Sequence, residues 1–382
     1  MFSVGLNDGQ TKRRLSTLRT LKMIMAIKKI KKPRLFGIKH SNRDFSKKES
    51  WGKNQFNSSF PVALACYMNE KEFENIYLKL DKNLKVIHDK ITSESLFGIC
   101  PKSDDLFFAF ETPYTPYQQL LIGNIPRTDI VIQNSISGNC LRGLEIKLTA
   151  LPDNVTCDLP ENQYGCELVI RPDTIVYLAC SIAMQYKNKR ERKKLTTYID
   201  NKFEGISDWT EPNEVLPYVS EMVKVIEKIT QDKILSQEPL IIQPVWKTLG
   251  KSPILAHDCL EVFVWSNLAF TRLFLDMATE PITQINRSIR TIIWFFKMLY
   301  DFSVMGQIDY RCIIDKLSFN TKNDKAFATN GKITHSYMQS QFLTQPRILK
   351  SEIKNIILDG GQNLLSPERR FDAIIYNSPN LF

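Results

Sequence analysis

The spacing of apolar positions changes period along the chain. From Pro61 the run PVALACYMNEKEFENIYLKL sets Ala63, Cys66 and Tyr67 on one face. Phe73, Ile76, Tyr77 and Leu80 continue it, which predicts a helix opening at Pro61. At Leu106 the period shortens. LFFAFE is a compact apolar run, TDIVIQN alternates, and CLRGLEIKLTAL follows the turn SISGN and ends at Pro152. The Ser137-Gly138-Asn139 turn predicts that Thr128–Asn134 and Leu141–Ala150 are adjacent antiparallel strands. CELVIRP (Cys166–Pro172) reads as a further strand. A helix then runs from Asp173 to about Tyr186, with Ile175, Leu178, Ala179, Ile182 and Ala183 on one face. Residues 212–235 and 254–317 read as helical and carry Trp265, Phe270, Phe274, Trp294, Phe295 and Phe296. The stretch Ser41–Pro61 shows neither period and reads as an ordered loop anchored by Phe45, Trp51, Phe56 and Phe60. The pattern predicts an α/β (α+β) chain: a mixed central sheet flanked by helices, with a largely α-helical C-terminal half.

Composition narrows the class. A chain of 382 residues, 43% hydrophobic and 10% aromatic, can bury one large core or two moderate ones. Its eight cysteines form no CxxC pair and none has a histidine at zinc-ligand spacing, so they read as buried thiols of a reducing compartment. The N-terminus lacks the apolar core of a secretion signal. The longest uncharged stretch of the most apolar region runs from Val262 to Thr271, about half a membrane span. A cytoplasmic protein with no membrane partner is expected.

Charge changes the picture more. The sequence holds 51 Lys and Arg against 41 Asp and Glu, a net charge of +10. Residues 1–48 contain 14 of the basic and 2 of the acidic residues, leaving 37 basic against 39 acidic in the rest. The body is therefore about neutral, and DNA binding would need a local cleft rather than a cationic surface. Two readings of the basic start stay open. Met23 and Met25 allow 1–22 to be an extension upstream of an internal start; alternatively Lys12 to Lys32 form an arm that lies along phosphates.

The candidate chemistry lies in Pro126-Arg127-Thr128-Asp129-Ile130-Val131-Ile132 and, across the turn, Leu144-Glu145-Ile146-Lys147-Leu148. Phosphodiester hydrolysis needs a hard divalent cation to neutralise the attacked phosphate and a water lined up opposite the leaving oxygen. Two carboxylates on neighbouring strands can hold Mg2+ through oxygen while leaving positions open. Glu145 and Lys147, two apart on a strand, project to the same face, so the lysine reaches that water. Ile146 points into the core, and its backbone carbonyl is a further candidate ligand. Acid-any-lysine occurs four times, at Glu145-Lys147, Glu191-Lys193, Asp200-Lys202 and Glu352-Lys354, and only the first lies in a β-branched hairpin with an Asp on the preceding strand. A plain alternative is a surface salt bridge between Asp129 and Lys147.

These segments resemble a known family. The hairpin looks like a PD-(D/E)xK nuclease core. Together LFGIKHSNRDFSKKESWGKNQFNSSFPVALACYM, TDIV, GLEIKLTALPDN and GCELVIRPDTIVYLACSIA resemble the HindVP family of type II restriction endonucleases over about residues 35–190. The resemblance implies a restriction-endonuclease-like core at 35–200, after a basic arm at 1–34. It sets Asp129 and Glu145 as metal-binding acids and Lys147 as the catalytic lysine. It also implies Mg2+ as cofactor, double-stranded DNA as substrate and a palindromic site of the GRCGYC type. A homodimer follows from palindromic cutting. A cognate DNA methyltransferase encoded nearby is expected, though not as a physical partner. The mostly helical 201–382 would serve DNA binding or dimerisation. One departure is visible: the proline stands three residues before Asp129 rather than beside it.

Secondary candidates remain. Glu111 is a possible third acid, with Glu70, Glu72 and Glu167 behind it. Lys53, Asn54, Gln55 and Asn57, with Arg43, carry side chains that read base edges. Lys189, Arg190, Arg192 and Lys193 suit phosphate contacts in a charged turn after a helix. Two other readings stay open: a catalytically inactive DNA-binding protein with a nuclease-like core, and a structural helical scaffold built on 212–317.

Overall fold

The structure, a computed structural model, describes residues 35–45, 53–147, 168–249, 254–321, 326–329, 331–338 and 348–351. The basic arm, Glu167, Cys157 and Cys166 lie outside the described residues. In chain order the elements begin with helix α1 (Lys53–Glu70) and strands β1 (Asn75–Leu80), β2 (Val86–Ile91), β3 (Leu106–Pro113), β4 (Arg127–Asn134), β5 (Cys140–Ile146) and β6 (Val169–Ile170). Helices α2 (Pro172–Ala183), α3 (Lys189–Ile199) and α4 (Val219–Thr230) follow, then strands β7 (Pro239–Thr248) and β8 (Leu255–Ser266) and helices α5 (Asn267–Met277) and α6 (Arg287–Met305). Strand β9 (Phe327–Ala328), helix α7 (Gly331–Met338) and strand β10 (Ile348–Leu349) follow, with shorter helices at Ser93–Phe97, Pro212–Val215 and Tyr310–Lys316 and several 3-10 turns between the main elements.

Seven strands form one sheet in the order β2-β1-β8-β7-β5-β4-β3, with β10 added beside β8. The β1–β8 and β5–β7 pairs are parallel and the other pairs antiparallel, so the sheet is mixed. Period-two alternation divides its side chains between two cores. Leu144, Ile146, Ile242 and Val264 pack with Phe60, Val62 and Leu64 of α1. Ile241, Phe263 and Trp265 pack with Ile175 and Leu178 of α2 and with Trp294 and Phe296 of α6. Helices therefore cover both faces, as a mixed, doubly buried sheet requires.

Four expectations change here. The helix predicted to open at Pro61 starts at Lys53 with Pro61 inside it, so part of the expected loop is helical. It also ends at Glu70, and 75–80, read as its continuation, form β1. Glu72 at φ 59° turns the chain between them. NIYLKL is buried at five of its six positions, a both-faces pattern that apolar spacing alone does not separate from a helix. The third change is larger: 255–266 read as helical but form β8, which pairs with β7 in the middle of the sheet. LAHDCLEVFVWS is almost wholly buried, so no alternation survived to mark it as a strand. Among its described residues the C-terminal half is thus mostly helical, apart from the central strands β7 and β8 and the two-residue strands β9 and β10. The basic run at 189–194, expected as a turn, is helical and belongs to α3.

Among the described cysteines all are free thiols; Cys66, Cys180 and Cys259 are buried as expected, whereas Cys100 is exposed and Cys140 and Cys312 are partly buried. No described helix is long and apolar enough to cross a membrane.

Candidate active site on the β4–β5 hairpin

The hairpin forms as its turn residues dictate. Asn134 Oδ1 accepts from the backbone N–H groups of Ile136 and Ser137, and Gly138 takes φ +69°. Register then follows, with Ile130 opposite Leu144 and Ile132 opposite Arg142. One step further, Asp129 faces Glu145, but the backbone ladder ends at Ile130–Leu144. The Asp129 carboxylate takes over instead, Oδ2 accepting the Ile146 N–H at 2.7 Å. On the other side of β5 the chain runs parallel to β7, and the Lys147 N–H donates to the Ile242 carbonyl at 2.9 Å. Glu145 and Lys147 are thereby gripped from two strands.

Glu145 is 6% exposed, and its carboxylate accepts three hydrogen bonds. The Thr128 hydroxyl donates to Oε1 at 2.9 Å. The Thr174 hydroxyl, from the first turn of α2, donates to Oε2 at 3.1 Å, and Lys147 Nζ donates to Oε2 at 2.9 Å. Burial alone would raise the Glu145 carboxyl. The Lys147 charge and the three hydrogen bonds outweigh it and hold the group below the usual carboxylate range. Burial likewise works against the Lys147 ammonium, but the charges of Glu145 and Asp129 raise it above an ordinary lysine. Asp129 goes the other way: burial first, then the charge of Glu145, push its carboxyl up to about 6. Asp173, beside Asp129's neighbours on α2, is raised by burial and by Glu145 as well.

The displaced proline has a structural counterpart. Tyr177 of α2 donates its hydroxyl to the Pro126 carbonyl at 2.9 Å and accepts from the Tyr114 N–H at 2.9 Å. The strand entry is thus tied to α2 three residues before Asp129, and the same helix supplies Thr174. α2 itself is well specified: Pro172 stands at its first position, Asp173 lies in its first turn, and ten of its residues are buried.

The donor set fits a hard divalent cation. Two carboxylates face each other across the hairpin; burial, and then the charge of Glu145, raise the Asp129 carboxyl, and a cation would relieve the repulsion between them. Asp129 and Glu145 are the residues that would hold it. Among the described residues no three His, Cys, Asp or Glu side chains gather closely enough to make a larger set. Glu111 is therefore not brought in as a third acid. It sits at φ +50° on β3, between the pairs Phe110–Ile130 and Thr112–Thr128, and bonds Arg43 at 3.2 Å. Glu70 pairs with Lys102, and Glu72 is exposed at the helix end.

The nucleic-acid candidates separate. Arg43 is used within the fold: its guanidinium bonds Glu111 and Ser59 and lies 4.2 Å from the Phe110 ring centroid, so it is not presented to base edges. The Arg192 guanidinium lies against Gly306 at the C-terminus of α6. Lys189, Arg190 and Lys193 are exposed on α3. That helix starts beyond the far end of α2, whose Ala183 lies about 14 Å along the helix from Thr174 at 1.5 Å per residue. Lys53, Asn54, Gln55 and Asn57 lie in the first turns of α1, with side chains outside the described residues. Sequence reasoning missed Thr128, Thr174 and Asp173, which carry no motif; the one signal was their adjacency to Asp129 and to the Pro172 helix start.

A family model for HindVP restriction endonuclease matches residues 51–382. The chain is also 46% identical, over 92% of its length and 98% of the relative's, to the type II restriction enzyme HgiDI of Herpetosiphon aurantiacus. The chain belongs to the HindVP restriction endonuclease family. The probable type II restriction enzyme HindVP of Haemophilus influenzae is a second relative, 46% identical over 92% of this chain and 95% of its own. No solved structure matches the chain. This HindVP-family protein is a restriction enzyme, a site-specific deoxyribonuclease, and its mixed sheet flanked by helices is consistent with a restriction-endonuclease-like fold.

Proposed function

We propose that the enzyme hydrolyses phosphodiester bonds of double-stranded DNA with Mg2+, using Asp129, Glu145 and Lys147, at a short palindromic site of the GRCGYC type. The observation that carries this reading is a nearly buried Glu145–Lys147 pair at 2.9 Å with Asp129 opposite on the next strand. An exposed salt bridge would be worth little and would explain nothing about burial. Here three ionisable groups are withdrawn from water, an arrangement that is costly unless it serves a ligand.

The bound cation would neutralise charge on the attacked phosphate and acidify a water. Asp129 and Glu145 orient it, with the two threonine hydroxyls fixing the Glu145 carboxylate. The Ile146 carbonyl, between two anchored residues, is a candidate further oxygen. Lys147 Nζ, held as an ammonium by Glu145, can donate to a phosphate oxygen or hold the attacking water in line. Exposed Lys189, Arg190 and Lys193 suit phosphate contacts away from the cut. Palindromic cutting calls for a homodimer, acting in the prokaryotic cytoplasm beside a methyltransferase that protects host sites.

The test is plasmid cleavage after dialysis against EDTA. Restoring Mg2+ is expected to restore discrete fragments whose ends map to GRCGYC. Fragments formed in EDTA would sink the metal reading, and ends at another sequence would sink the site. Sedimentation gives the oligomeric state.

A further inference from the structure

Arg171 precedes Pro172 and caps α2 with extended backbone, φ −106° and ψ 159°, the conformation a following proline enforces. Its side chain is exposed, and among the described residues no hydrogen bond or ion pair holds its guanidinium. Its backbone is nevertheless close to the catalytic carboxylates. The Arg171 carbonyl accepts the Thr174 N–H at 3.1 Å, and the Thr174 hydroxyl donates to Glu145 Oε2 at 3.1 Å. Its charge acts on Asp129, Lys147 and Asp173. Nearby, Lys147 pairs with Glu145, and Arg43 with Glu111 and Phe110.

The geometry points to Arg171 as a phosphate-binding residue that grips the DNA backbone at a phosphate flanking the scissile one. Asp129, Glu145 and Lys147 form the nearly buried floor of the site, and Arg171 stands exposed at its rim, where the next phosphate along a strand would pass. A guanidinium suits this: its planar fork of donors matches two phosphate oxygens, and it stays charged at any working pH. Beside Asp129 and Asp173, this cation also lowers the repulsion an incoming polyanion would meet. The inference rests on the reading of this site as a DNA nuclease.

The experiment measures binding of the full chain to a short duplex in EDTA against salt concentration, for the wild type, Arg171→Ala and Arg171→Lys. Arg171→Ala is expected to weaken binding about tenfold at fixed salt and to reduce the slope of log K against log salt by about 0.9, one phosphate's worth. Arg171→Lys is expected to keep the slope and lose part of the affinity. In cleavage, Arg171→Ala should raise KM and leave kcat within about twofold. An unchanged salt slope and affinity, or a fall in kcat at unchanged KM, overturns the proposal. Because the duplex assay needs no turnover, it reads Arg171 even if the wild type fails to cut with Mg2+, the result that would overturn the nuclease reading instead.

Discussion

Two of the four occurrences of the same three-residue pattern in this molecule have opposite results. Glu145-Ile146-Lys147 closes β5, where residues two apart share a face, and the lysine reaches the glutamate at 2.9 Å inside the protein. Glu191-Arg192-Lys193 lies on α3, where residues two apart point in different directions. There Glu191 pairs with Lys194 at 2.7 Å, one position further on, while Lys193 faces solvent. Acid-any-lysine is therefore a statement about chemistry only on a strand. Burial completes the difference: the Glu145–Lys147 side chains are 7% and 13% exposed, against 18% and 42% for Glu191 and Lys194.

The comparison can be broken most forcefully at Glu145. Glu145→Gln keeps the shape and removes the charge, and cleavage is expected to fall by about a thousandfold or more, with the duplex affinity retained. Retention of wild-type kcat would end the assignment. Truncating its partner alone, Lys147→Ala, leaves a buried carboxylate without its cation. The melting temperature should drop by the equivalent of about 3 kcal/mol, together with the loss of activity.

Asp129 sharpens the contrast through pH. Its carboxyl is raised in the folded state from 3.8 to about 6, so the folded protein binds this proton more tightly than the unfolded chain. Stability from this group is therefore full at low pH and declines as pH rises from about 4 through 6. Asp129→Asn should lack that decline. The metal-free variant is expected to be more stable than the wild type near neutrality by on the order of 2 kcal/mol, while being inactive. Thermal melts in EDTA across this range read it; a wild type as stable as the variant above pH 6 contradicts it.

Thr174→Val removes one of the three hydrogen bonds on the Glu145 carboxylate without a change of shape. A fall in kcat of about tenfold is expected at nearly unchanged KM, with a stability cost of about 1 kcal/mol. Equal kcat would mean that α2 does not orient the acid. At the other end of the scale, Glu191→Gln should leave kcat unchanged and move stability by no more than about 0.5 kcal/mol, as expected of an exposed helical pair.

The sequence by itself determined the hairpin. Gly138, Asn134 and the β-branched runs on either side specify turn and register locally, and that register alone puts Asp129 opposite Glu145 and sends Lys147 to the same face as Glu145. The helix expected from Asp173 was nearly as legible and opens one residue earlier, at Pro172, because its apolar stripe is a local signal. Strands β1 and β8 were not, since segments buried on both faces lose the alternation that distinguishes a strand, and only pairing with β7 and with each other decides their form. The wider site also had to wait for the fold. Thr174 reaches the hairpin from α2, Glu111 and Arg43 pair with one another, and Arg192 lies against a helix end. Local chemistry chose the acids and the lysine; the packing of α2 against the sheet chose what holds them.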